Sequence, residues 1–376
     1  MGEYIRGVVV KLHVTPEQEV MFKQNYGCTR KTHNELLNKY KAKYGDSTKI
    51  PTKNELNQFL NESKKELSYL METESTSLQQ ASDDLHKAFK NSFKSKRHNP
   101  PKFHSKKKTR PSFRQTIRKD KRPVEKNTLT LRKHGKVTFS TSVEYLDLLN
   151  SPDTKFNNIT VYYDGLNHYA SFNIETDAPE QLPLTGEHIG CDINSNKNGW
   201  LVTSEGQKEF FEVDHDNQMI KHINRLMSKC RNMSRRWKKL QKWYNKRTNQ
   251  LNDYIEKLTY NLVKKYDTIV FEENYSTIKI LIGGEQNMIF PLSRFIKRLK
   301  DKFQLYKPKA DGVQFVKPHN TSRTCHHCGH INKKLKVKKR NWKCQKCGKT
   351  LDRDTNAAIN ILNRWFNGDS LKKYLN

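Results

Sequence analysis

The chain has 376 residues, of which 71 are lysine or arginine and 39 are aspartate or glutamate, so its formal net charge is +32. Such an excess opposes folding through self-repulsion unless a polyanion relieves it, which argues against an enzyme of small neutral molecules and indicates nucleic acid as a partner. No run of about 18 apolar residues occurs, and the start MGEYIRGVVV lacks the features of a signal peptide, so no membrane partner is expected.

The first quarter of the chain has the pattern of one strand followed by helices. Residues 5–12, IRGVVVKL, are rich in β-branched side chains and predict a strand. Thr15, followed by acidic residues in the next turn, predicts the start of a helix. A second helix is expected over about 52–67. A third is expected over about 75–94, where apolar residues form an amphipathic stripe.

The next hundred residues change to strand patterns. Residues 94–110 are basic and contain prolines, and they predict no helix. The run VTFSTSV alternates, as a strand does, and NITVYYDGLNHYASFNIE predicts a hairpin that turns at Asp164-Gly165. Residues 176–186 are polar and contain two prolines. This segment is interpreted as a linker, and the domain boundary is placed there.

The second half alternates strands with helices, which predicts a mixed α/β core. A strand ends near Asn194, GWLVTS returns as a second strand, and Gly206 turns into a third. The remaining elements are expected in this order: a basic helical segment over about 216–265, the strand DTIVFEEN, the helix LSRFIKRLKDKFQLYK, the strand GVQFVKP, a cysteine module and a final helix.

Four of the seven cysteines form two pairs with the spacing of metal ligands. Fifteen residues separate Cys325-x-x-Cys328 from Cys344-x-x-Cys347, a pattern typical of a tetrahedral zinc site. A closed site of four thiolates leaves no position for substrate, so the zinc is expected to be structural. Pairing of this kind also favours a reducing compartment over disulfides. Three histidines nearby offer alternatives for one thiolate or for nucleic-acid contact: His326, His327 and His330.

Three acidic residues lie at the ends of predicted elements. They are Asp192 after HIGC, Glu272 after TIVF, and Asp354 before the last helix. Carboxylates that converge at one sheet edge repel each other unless a cation neutralises them, and two Mg²⁺ ions would serve both this purpose and phosphodiester hydrolysis. Each acid also has a simpler interpretation, as a turn residue, a solvated acid, or a helix N-cap or dipole partner.

Residues 221–247 are strongly basic, with aromatic residues between the charges. Basic residues around most of a helix predict contact with nucleic acid, with the aromatic side chains stacking on bases. The alternative is that the aromatic side chains pack in a core while the lysines are merely solvated. The candidate contacts are Arg235, Arg236, Trp237, Lys238, Lys239, Lys242, Lys246 and Arg247, together with the aromatic residues Trp243 and Tyr244.

Residues 187–364 resemble the RuvC-like nuclease half of the TnpB proteins, which are accessory proteins of insertion sequences and relatives of type V CRISPR effectors. The motifs that carry the resemblance are GCDIN, IVFEEN, TSRTCHHCG, KCQKCG and LDRDTNAAINIL. The N-terminal half resembles the family more loosely, through VTPEQEVMFKQNYGCTRKTHNELL, SLQQASDDLHKAFKNSF and PKFHSKK.

The resemblance implies an α/β multidomain fold. Its first part is an N-terminal β-barrel (wedge-type) domain with an inserted helical domain, and its second part is an RNase H-like (RuvC) mixed sheet with an inserted zinc ribbon. The implied boundaries are 1–14 and 96–180 for the barrel, 15–95 for the helical recognition domain, 186–320 and 350–368 for the nuclease domain, and 321–349 for the four-cysteine zinc ribbon, which would bind target nucleic acid.

The family's catalytic acids fall on Asp192, Glu272 and Asp354, which implies that they bind two Mg²⁺ ions, while Asp352 is a neighbour. This chain departs from the family at two places. Asn194 stands where glycine is usual, and Asn tolerates a positive φ better than most residues, so the turn is expected to survive. Glu273-Asn274 follows the glutamate where Asp-Leu is usual, which leaves the choice between Glu272 and Glu273 open.

By the same resemblance the protein is expected to be an RNA-guided DNA endonuclease of a transposable element, with a guide RNA and double-stranded target DNA as partners. A short transposon-adjacent motif would be read by the third helix. The protein would act as a monomer or weak dimer in a prokaryotic cytoplasm, and it would lie on the nucleoid when bound to DNA. The alternatives are a guide-dependent repressor that does not cut and a guide-independent transposase. The expected motif readers, which otherwise form an ordinary polar helix face, are Thr76, Gln79 and Gln80.

Overall fold

The computed structural model describes residues 3–45, 49–94, 99–106, 109–118, 121–194, 199–210, 222–226, 228–229, 234–273, 291–336 and 339–368. The chain divides into two compact units, Met1–Ala178 and Pro179–Asn376, so the division falls inside the segment 176–186. Each unit contains a β-sheet and helices, as an α/β composition requires. None of the helices in these ranges is both long enough and apolar enough to cross a membrane.

The first unit contains a seven-stranded sheet whose neighbouring strands are all antiparallel, in the order β2-β6-β7-β1-β5-β4-β3. Alternate residues of the long first strand, Val8, Val10 and Leu12, are buried in the core, as the period of two in a strand requires. The strands are β1 (Glu3–His13), β2 (Ser112–Thr116), β3 (Val124–Glu125), β4 (Thr128–Leu131), β5 (Gly135–Ser140), β6 (Lys155–Tyr163) and β7 (His168–Asp177).

The hairpin predicted at Asp164-Gly165 is confirmed, because it joins β6 to β7. Gly165 has a φ of 97°, a conformation that side chains disfavour and glycine adopts readily. Asp164 closes the turn, since its carboxylate accepts hydrogen bonds of 2.8 Å from the backbone N–H groups of Leu166 and Asn167. The sequence pattern therefore located this hairpin correctly, together with the residue types that its turn needs.

The β-barrel predicted for this half is not confirmed. Edge strands β2 and β3 share no ladder among the residues that the structure describes, and β3 is only two residues long. Gln115 of β2 instead bridges to the residue after β4 with its side chain. Its amide exchanges two hydrogen bonds of 3.2 Å with the backbone of Arg132. The described strands of this sheet therefore complete no ring of backbone hydrogen bonds.

Four α-helices are described in this unit: α1 (Pro16–Tyr44), α2 (Lys53–Glu66), α3 (Ser75–Lys94) and α4 (Val143–Asn150). The first two begin where predicted, because Thr15 and Thr52 each form a capping box with the residue three positions later. The strand predicted at VTFSTSV ends earlier than expected, at Ser140, because the Ser142 side chain caps α4. Leucines of α1, α2 and α3 share one apolar core.

The second unit contains a five-stranded mixed sheet in the order β10-β9-β8-β11-β12. The three strands β8, β11 and β12 are parallel to one another, while β9 and β10 run antiparallel to their neighbours. All five strands fall where the sequence pattern predicts them. They are β8 (His188–Ile193), β9 (Leu201–Thr203), β10 (Lys208–Glu209), β11 (Thr268–Glu272) and β12 (Gly312–Val316).

Three long helices of this unit cover the two faces of the sheet: α5 (Arg235–Lys265), α6 (Leu292–Tyr306) and α7 (Arg353–Phe366). Apolar side chains of α5 and α6 share a core with Ile189, Cys191, Ile269 and Phe271. The opposite face carries Val270 and Val316, which pack with Ile361 of α7. Because neighbouring residues in a strand point to opposite faces, this division assigns a face to every residue of the three parallel strands.

The basic helical segment predicted over 216–265 contains more than one helix in the described residues. Helix α5 begins at Arg235, because the side chain of Ser234 accepts a hydrogen bond of 3.2 Å from the backbone N–H of Trp237 and so caps the helix. Residues 222–226 form a separate helical turn, and residues 211–221 lie outside the described residues.

Gly190 of β8 allows helix α7 to approach the sheet closely. A Cβ atom at this position would lie 2.1 Å from the backbone oxygen of Ala358 and 2.9 Å from the backbone nitrogen of Leu362. Both neighbours are backbone atoms of α7, so the helix itself would have to move. Since α7 carries Asp354 and β8 carries Asp192, the glycine fixes the spacing between two candidate site residues.

We expect Gly190→Ala to destabilise the second unit by about 3 kcal/mol or more, because it overpacks a helix–sheet contact that cannot yield locally. Urea unfolding followed by tryptophan fluorescence measures this loss. Gly7→Ala is the matched control: its added Cβ would meet only the backbone oxygen of Phe172, at 3.9 Å, and should change stability by less than about 0.5 kcal/mol. Equal effects of the two substitutions would contradict the close approach at Gly190.

Candidate catalytic and metal site

Asp192 and Glu272 are brought together by the parallel pairing of their strands. Cys191 of β8 lies opposite Phe271 of β11, so the next residue of each strand is Asp192 and Glu272 respectively. Residues at matching positions of neighbouring strands are about 4.8 Å apart along the hydrogen-bonding direction. The two carboxylates therefore stand side by side at the carboxyl edge of the parallel strands.

The alternation of buried residues distinguishes Glu272 from Glu273. Phe271 points to the face covered by α5 and α6, whereas Val270 points to the face covered by α7. Glu272 follows Val270 by two positions and so shares the α7 face, as does Asp192, which follows Gly190 by two positions. Glu273 lies beyond the end of β11, and its backbone N–H donates to the oxygen of Val316. The structure thus places Glu272, rather than Glu273, with Asp192.

Asp354 reaches the same face from the first turn of α7. It is buried, with 3% of its surface exposed, and the guanidinium of Arg340 donates hydrogen bonds of 2.6 and 2.9 Å to its two oxygens. Asp352 is the N-cap of α7, since one of its oxygens accepts from the backbone N–H groups of Asp354 and Thr355. Lys208 of β10 contacts the other oxygen of Asp352. The helix cap is therefore Asp352, and Asp354 is the acid that faces the sheet.

The three acids share one electrostatic environment. Removal from water, and then the negative charges of Glu272 and Asp354, raise the pKa of Asp192 to about 8. A hydrogen bond from Asn194 and the charge of Arg353 oppose this rise without cancelling it. A carboxyl group that is removed from water beside two other carboxylates is the electrostatic condition under which a divalent cation binds well.

The carboxylates do not form as compact a group as the cysteines do. Among the described residues, the group of side chains close enough to hold a metal ion is that of the four cysteines, whose ligand atoms all lie within 4.8 Å of one another, and the three acids do not form such a group. Like charges keep carboxylates apart, and Arg340 holds Asp354 by an ion pair. The acids nevertheless offer hard oxygen ligands on one face, which is the ligand type that Mg²⁺ prefers.

Asn194 does not need the left-handed backbone expected of it. The non-glycine residues with positive φ in the described part of the chain are Lys126, Lys133 and Asn320. Asn194 uses its side chain instead, since its amide donates a hydrogen bond of 3.2 Å to Asp192. Asparagine at this position thus adds a polar partner for Asp192.

We expect the metal-free chain to become less stable as pH rises from about 4 to about 8. The pKa of Asp192 is about 8 in the folded chain, whereas an unfolded aspartate has a pKa of about 3.9. The folded state therefore holds the proton more tightly, and its contribution to stability falls by at most about 1.4 kcal/mol per pH unit. Asp192→Asn should remove this dependence. Urea unfolding of both forms between about pH 5 and about pH 8 measures it, and parallel slopes would contradict the pKa shift.

The four predicted zinc ligands are brought together by the structure. The Sγ atoms of Cys325 and Cys347 are 3.7 Å apart, and those of Cys328 and Cys344 are 3.6 Å apart. A tetrahedral zinc ion with Zn–S bonds of about 2.3 Å separates its thiolates by about 3.8 Å. The cysteines therefore fit a tetrahedral ion. The described cluster contains no histidine, so a histidine ligand in place of one thiolate is not supported.

The cysteines lie in a small module with a core of its own. Its two knuckles have the same turn, with Gly329 at a φ of 70° and Gly348 at 71°. A hairpin of β13 (Asn341–Lys343) and β14 (Thr350–Asp352) leads into α7, and Trp342 is packed among the cysteines. The module thus forms part of the path of the chain between β12 and the helix that carries Asp354.

Two asparagines of α7 attach this module to the helix, and sequence reasoning missed them. The side-chain amides of Asn356 and Asn360 each donate to the backbone oxygens of Thr321 and Thr324, over 2.7 to 3.3 Å. The oxygen of Asn356 accepts from the backbone N–H of His326, at 3.0 Å. The four-residue spacing of the asparagines on a helix was the available signal, because it places both on one face.

The candidate nucleic-acid contacts of α5 lie mainly on its surface. Arg235, Arg236, Lys238, Lys239, Lys242 and Lys246 are exposed, while Trp237 and Arg247 are partly buried. Trp243 and Tyr244 are 46% and 41% exposed, so the alternative that these two pack in a core is wrong. The ammonium of Lys246 lies 5.6 Å from the centre of the Trp243 ring. Leu251 and Ile255, in the half of α5 that follows these basic residues, are buried.

The candidate motif readers of α3 differ in their availability. Gln79 is exposed. Gln80 donates a hydrogen bond of 3.2 Å to the hydroxyl of Thr116, and the hydroxyl of Thr76 donates one of 2.7 Å to Glu74. All three belong to the first unit and lie at the N-terminal end of α3.

The fold and the site together define a class of protein: a two-unit α/β chain that brings three acids to one sheet face and inserts a four-cysteine module before the last helix. Three family models match it. They are the OrfB_IS605 "Helix-turn-helix domain" over residues 1–49, OrfB_IS605 "Probable transposase" over 171–278, and the "Cas12f1-like, TNB domain" over 293–361.

Individual relatives agree with these models. A protein of Streptomyces pristinaespiralis, provisionally named an RNA-guided DNA endonuclease, is 27% identical over 384 residues, covering 96% of this chain and 90% of that protein. A TnpB-like protein of Acanthamoeba polyphaga mimivirus is 31% identical over 170 residues, which are 43% of this chain and 31% of that protein. The resemblance predicted from the sequence is confirmed: the chain is similar to proteins named TnpB-like.

The fold has a counterpart among solved structures. A chain in the cryo-EM structure of the Cas12f1–sgRNA–target DNA complex superposes with a TM-score of 0.57 at 15% sequence identity, covering 93% of this chain and 83% of that one. The protein therefore has a Cas12f1-like α/β fold.

Proposed function

We propose that this protein is an RNA-guided DNA endonuclease encoded by a transposable element, and that it cuts target DNA beside a short transposon-adjacent motif. One observation carries the proposal: Asp192, Glu272 and Asp354 lie on the α7 face of the second sheet, near enough for the charges of Glu272 and Asp354 to act on Asp192. The strand order of that sheet supports it. When the five strands are numbered in chain order, their order across the sheet is 3-2-1-4-5, and the second strand runs antiparallel to the first. An RNase H-like nuclease core requires this arrangement.

Asp192, Glu272 and Asp354 would hold two Mg²⁺ ions. When bound, the ions would supply an activated water and charge stabilisation for phosphodiester hydrolysis. The chain's own part is to present the three carboxylates together and ionised. Asp192 must release the proton that its raised pKa retains, and Arg340 must give up its ion pair with Asp354. Both changes are favourable when a cation binds at the site and unfavourable when none is bound.

Cys325, Cys328, Cys344 and Cys347 would hold one structural zinc ion in the ribbon over 321–349. The distances between the four sulfur atoms support tetrahedral ligation, and a site closed by four protein ligands offers no position for substrate. The zinc would fix the chain that enters α7. This gives the ribbon a reason to lie directly before Asp354 in the sequence.

The partners we propose are a guide RNA and a double-stranded DNA target. Basic residues of α5 would contact phosphates, and the exposed rings of Trp243 and Tyr244 would stack on bases. Guide–target pairing would read the sequence, while the protein contacts the backbone. The helical domain over 15–95, set in the β-domain over 1–14 and 96–180, would read the adjacent motif. Gln79 is the best placed of the three candidates on α3, because its side chain is exposed.

Cleavage of a plasmid by the purified ribonucleoprotein in Mg²⁺ tests this function. Cutting that requires both a matching guide and the adjacent motif supports it. Binding without any nick would favour the repressor, and joining of element ends without a guide would favour the transposase. The three acids on one face favour cutting over repression. Cytoplasmic location, and the monomer or weak dimer, are part of the same proposal.

We expect the affinity for nucleic acid to fall steeply with salt, by about a thousandfold or more between about 50 and 200 mM monovalent salt, because many phosphate contacts release counterions. Fluorescence anisotropy with labelled guide RNA measures the slope. The double substitution Lys238→Gln and Lys239→Gln should lower the slope of log affinity against log salt by about 1.5. An unchanged slope would show that these lysines do not contact phosphates.

A further inference from the structure

Thr321 lies where the chain leaves β12 and turns back over the carboxyl edge of the sheet. Its side chain is buried, with 6% of its surface exposed, and its hydroxyl donates a hydrogen bond to Oε1 of Glu272. The geometry follows from register, since Val316, the last residue of β12, lies opposite Glu272 in the ladder. A hydrogen bond to one carboxylate oxygen occupies one of about four lone-pair positions, so it orients the group without preventing it from binding an ion.

Thr321 is itself held by helix α7. The side-chain amides of Asn356 and Asn360 donate to its backbone oxygen at 3.3 and 2.7 Å. Asn356 is 1% exposed and Asn360 is 8% exposed, so both hydrogen bonds are shielded from water. Helix α7 therefore carries Asp354 directly and contacts Glu272 through Thr321.

We propose that Thr321 is a positioning residue of the metal site. It orients Glu272, and α7 sets the position of Thr321 and of Asp354 together. The inference rests on the proposed function, because it assigns Glu272 to a divalent ion. It follows that the spacing of two of the three ligands depends on one rigid helix, even though Glu272 and Asp354 lie in distant parts of the chain.

The hydroxyl, rather than the shape of the residue, is the group that this proposal requires. Thr321→Val removes the donor and keeps the volume, while Thr321→Ser keeps the donor. Thr324→Val is a matched control. Thr324 lies in the same turn, and its hydroxyl donates a hydrogen bond of 2.8 Å to the backbone oxygen of Asn320 rather than to a carboxylate. If the hydroxyl of Thr321 had only a structural role, Thr321→Val and Thr324→Val would have equal effects on Mn²⁺ binding.

Binding of Mn²⁺ to the guide-loaded full-length protein, followed by electron paramagnetic resonance of the free ion, tests the proposal. We expect Thr321→Val to weaken binding about tenfold, and Thr321→Ser and Thr324→Val to stay within about twofold of the wild type. Cleavage should need about tenfold more Mg²⁺ for half its maximal rate in Thr321→Val, with most of that rate recovered at saturation.

Equal Mn²⁺ affinity of Thr321→Val and the wild type, or equal losses in Thr321→Val and Thr324→Val, would overturn the assignment. If Thr321→Val does not fold, Thr321→Ala applies the same test with a smaller side chain. The variant Asp192→Asn separates this inference from the proposed function. If Asp192→Asn binds Mn²⁺ as tightly as the wild type does, the proposed metal site is refuted. If Asp192→Asn loses Mn²⁺ binding and Thr321→Val does not, only the role of Thr321 is refuted.

Discussion

Replacing any one of the three acids by its amide should reduce DNA cleavage by at least about a thousandfold, because each substitution removes a ligand of ions that stabilise charge in the transition state. The substitutions are Asp192→Asn, Glu272→Gln and Asp354→Asn. Binding of guide RNA should stay within about twofold, since the amides keep the shape of the site and none of the basic residues of α5 is changed. Single-turnover cleavage of a matched plasmid, with RNA binding measured in parallel, gives both numbers.

Glu273→Gln is the matched control for this result. The neighbouring glutamate follows the end of β11, and the alternation of buried residues places Glu272 on the face shared with Asp192. The control should therefore keep cleavage within about threefold of the wild type. Loss of cutting in Glu273→Gln with retention in Glu272→Gln would show that the assignment along β11 is wrong by one residue.

Cys344→Ser should remove zinc and strongly slow cleavage while leaving guide RNA bound. A zinc ion bound by the four thiolates would supply on the order of 10 kcal/mol of folding energy to the module, far more than its few apolar residues can replace. Without zinc the module unfolds, and Arg340, Thr321 and His326 lose the positions from which they contact Asp354, Glu272 and Asn356. We expect one zinc ion per wild-type chain, almost none in the variant, and at least about a hundredfold slower cutting.

Cys28→Ala provides the control, because this buried cysteine belongs to the helical core of the first unit. It should keep the zinc content of the wild type. Metal analysis of the purified proteins by mass spectrometry, with cleavage assays on the same samples, tests both substitutions. Full zinc occupancy in Cys344→Ser, or normal cutting by a zinc-free chain, would contradict the structural role of the ion.

The features that follow local rules were predictable from the sequence. Thr15 and Thr52 mark helix starts because a threonine followed by a polar residue three positions later closes a capping box. Asp164-Gly165 marks a hairpin for the same kind of local reason. The two cysteine pairs identified the four-cysteine cluster, since thiolates at that spacing form knuckles in any context.

The features that depend on distant contacts were not predictable from one sequence. Ser142 gives no sign that it ends a strand and caps a helix until the hydrogen bond is seen. Arg340 lies fourteen residues before Asp354, and only the folded hairpin brings the two together. Asn356 and Asn360 resemble ordinary polar residues of a helix until the turn that they hold is in place.

The candidate site combines both kinds of information. Local patterns located Asp192, Glu272 and Asp354 at the ends of elements, and the resemblance to TnpB proteins grouped them. The parallel register of β8 and β11, and the close approach at Gly190, supply a physical reason for the grouping. The same register favours Glu272 over Glu273, which the sequence left open because two adjacent acids at a strand end look alike.

The central measurement is the anomalous scattering of Mn²⁺ in crystals of the guide-loaded protein bound to its DNA target. We predict two peaks about 4 Å apart, bounded by the carboxylates of Asp192, Glu272 and Asp354. Absence of any peak among these three side chains, with Mn²⁺ bound by a different set of residues, would contradict the account.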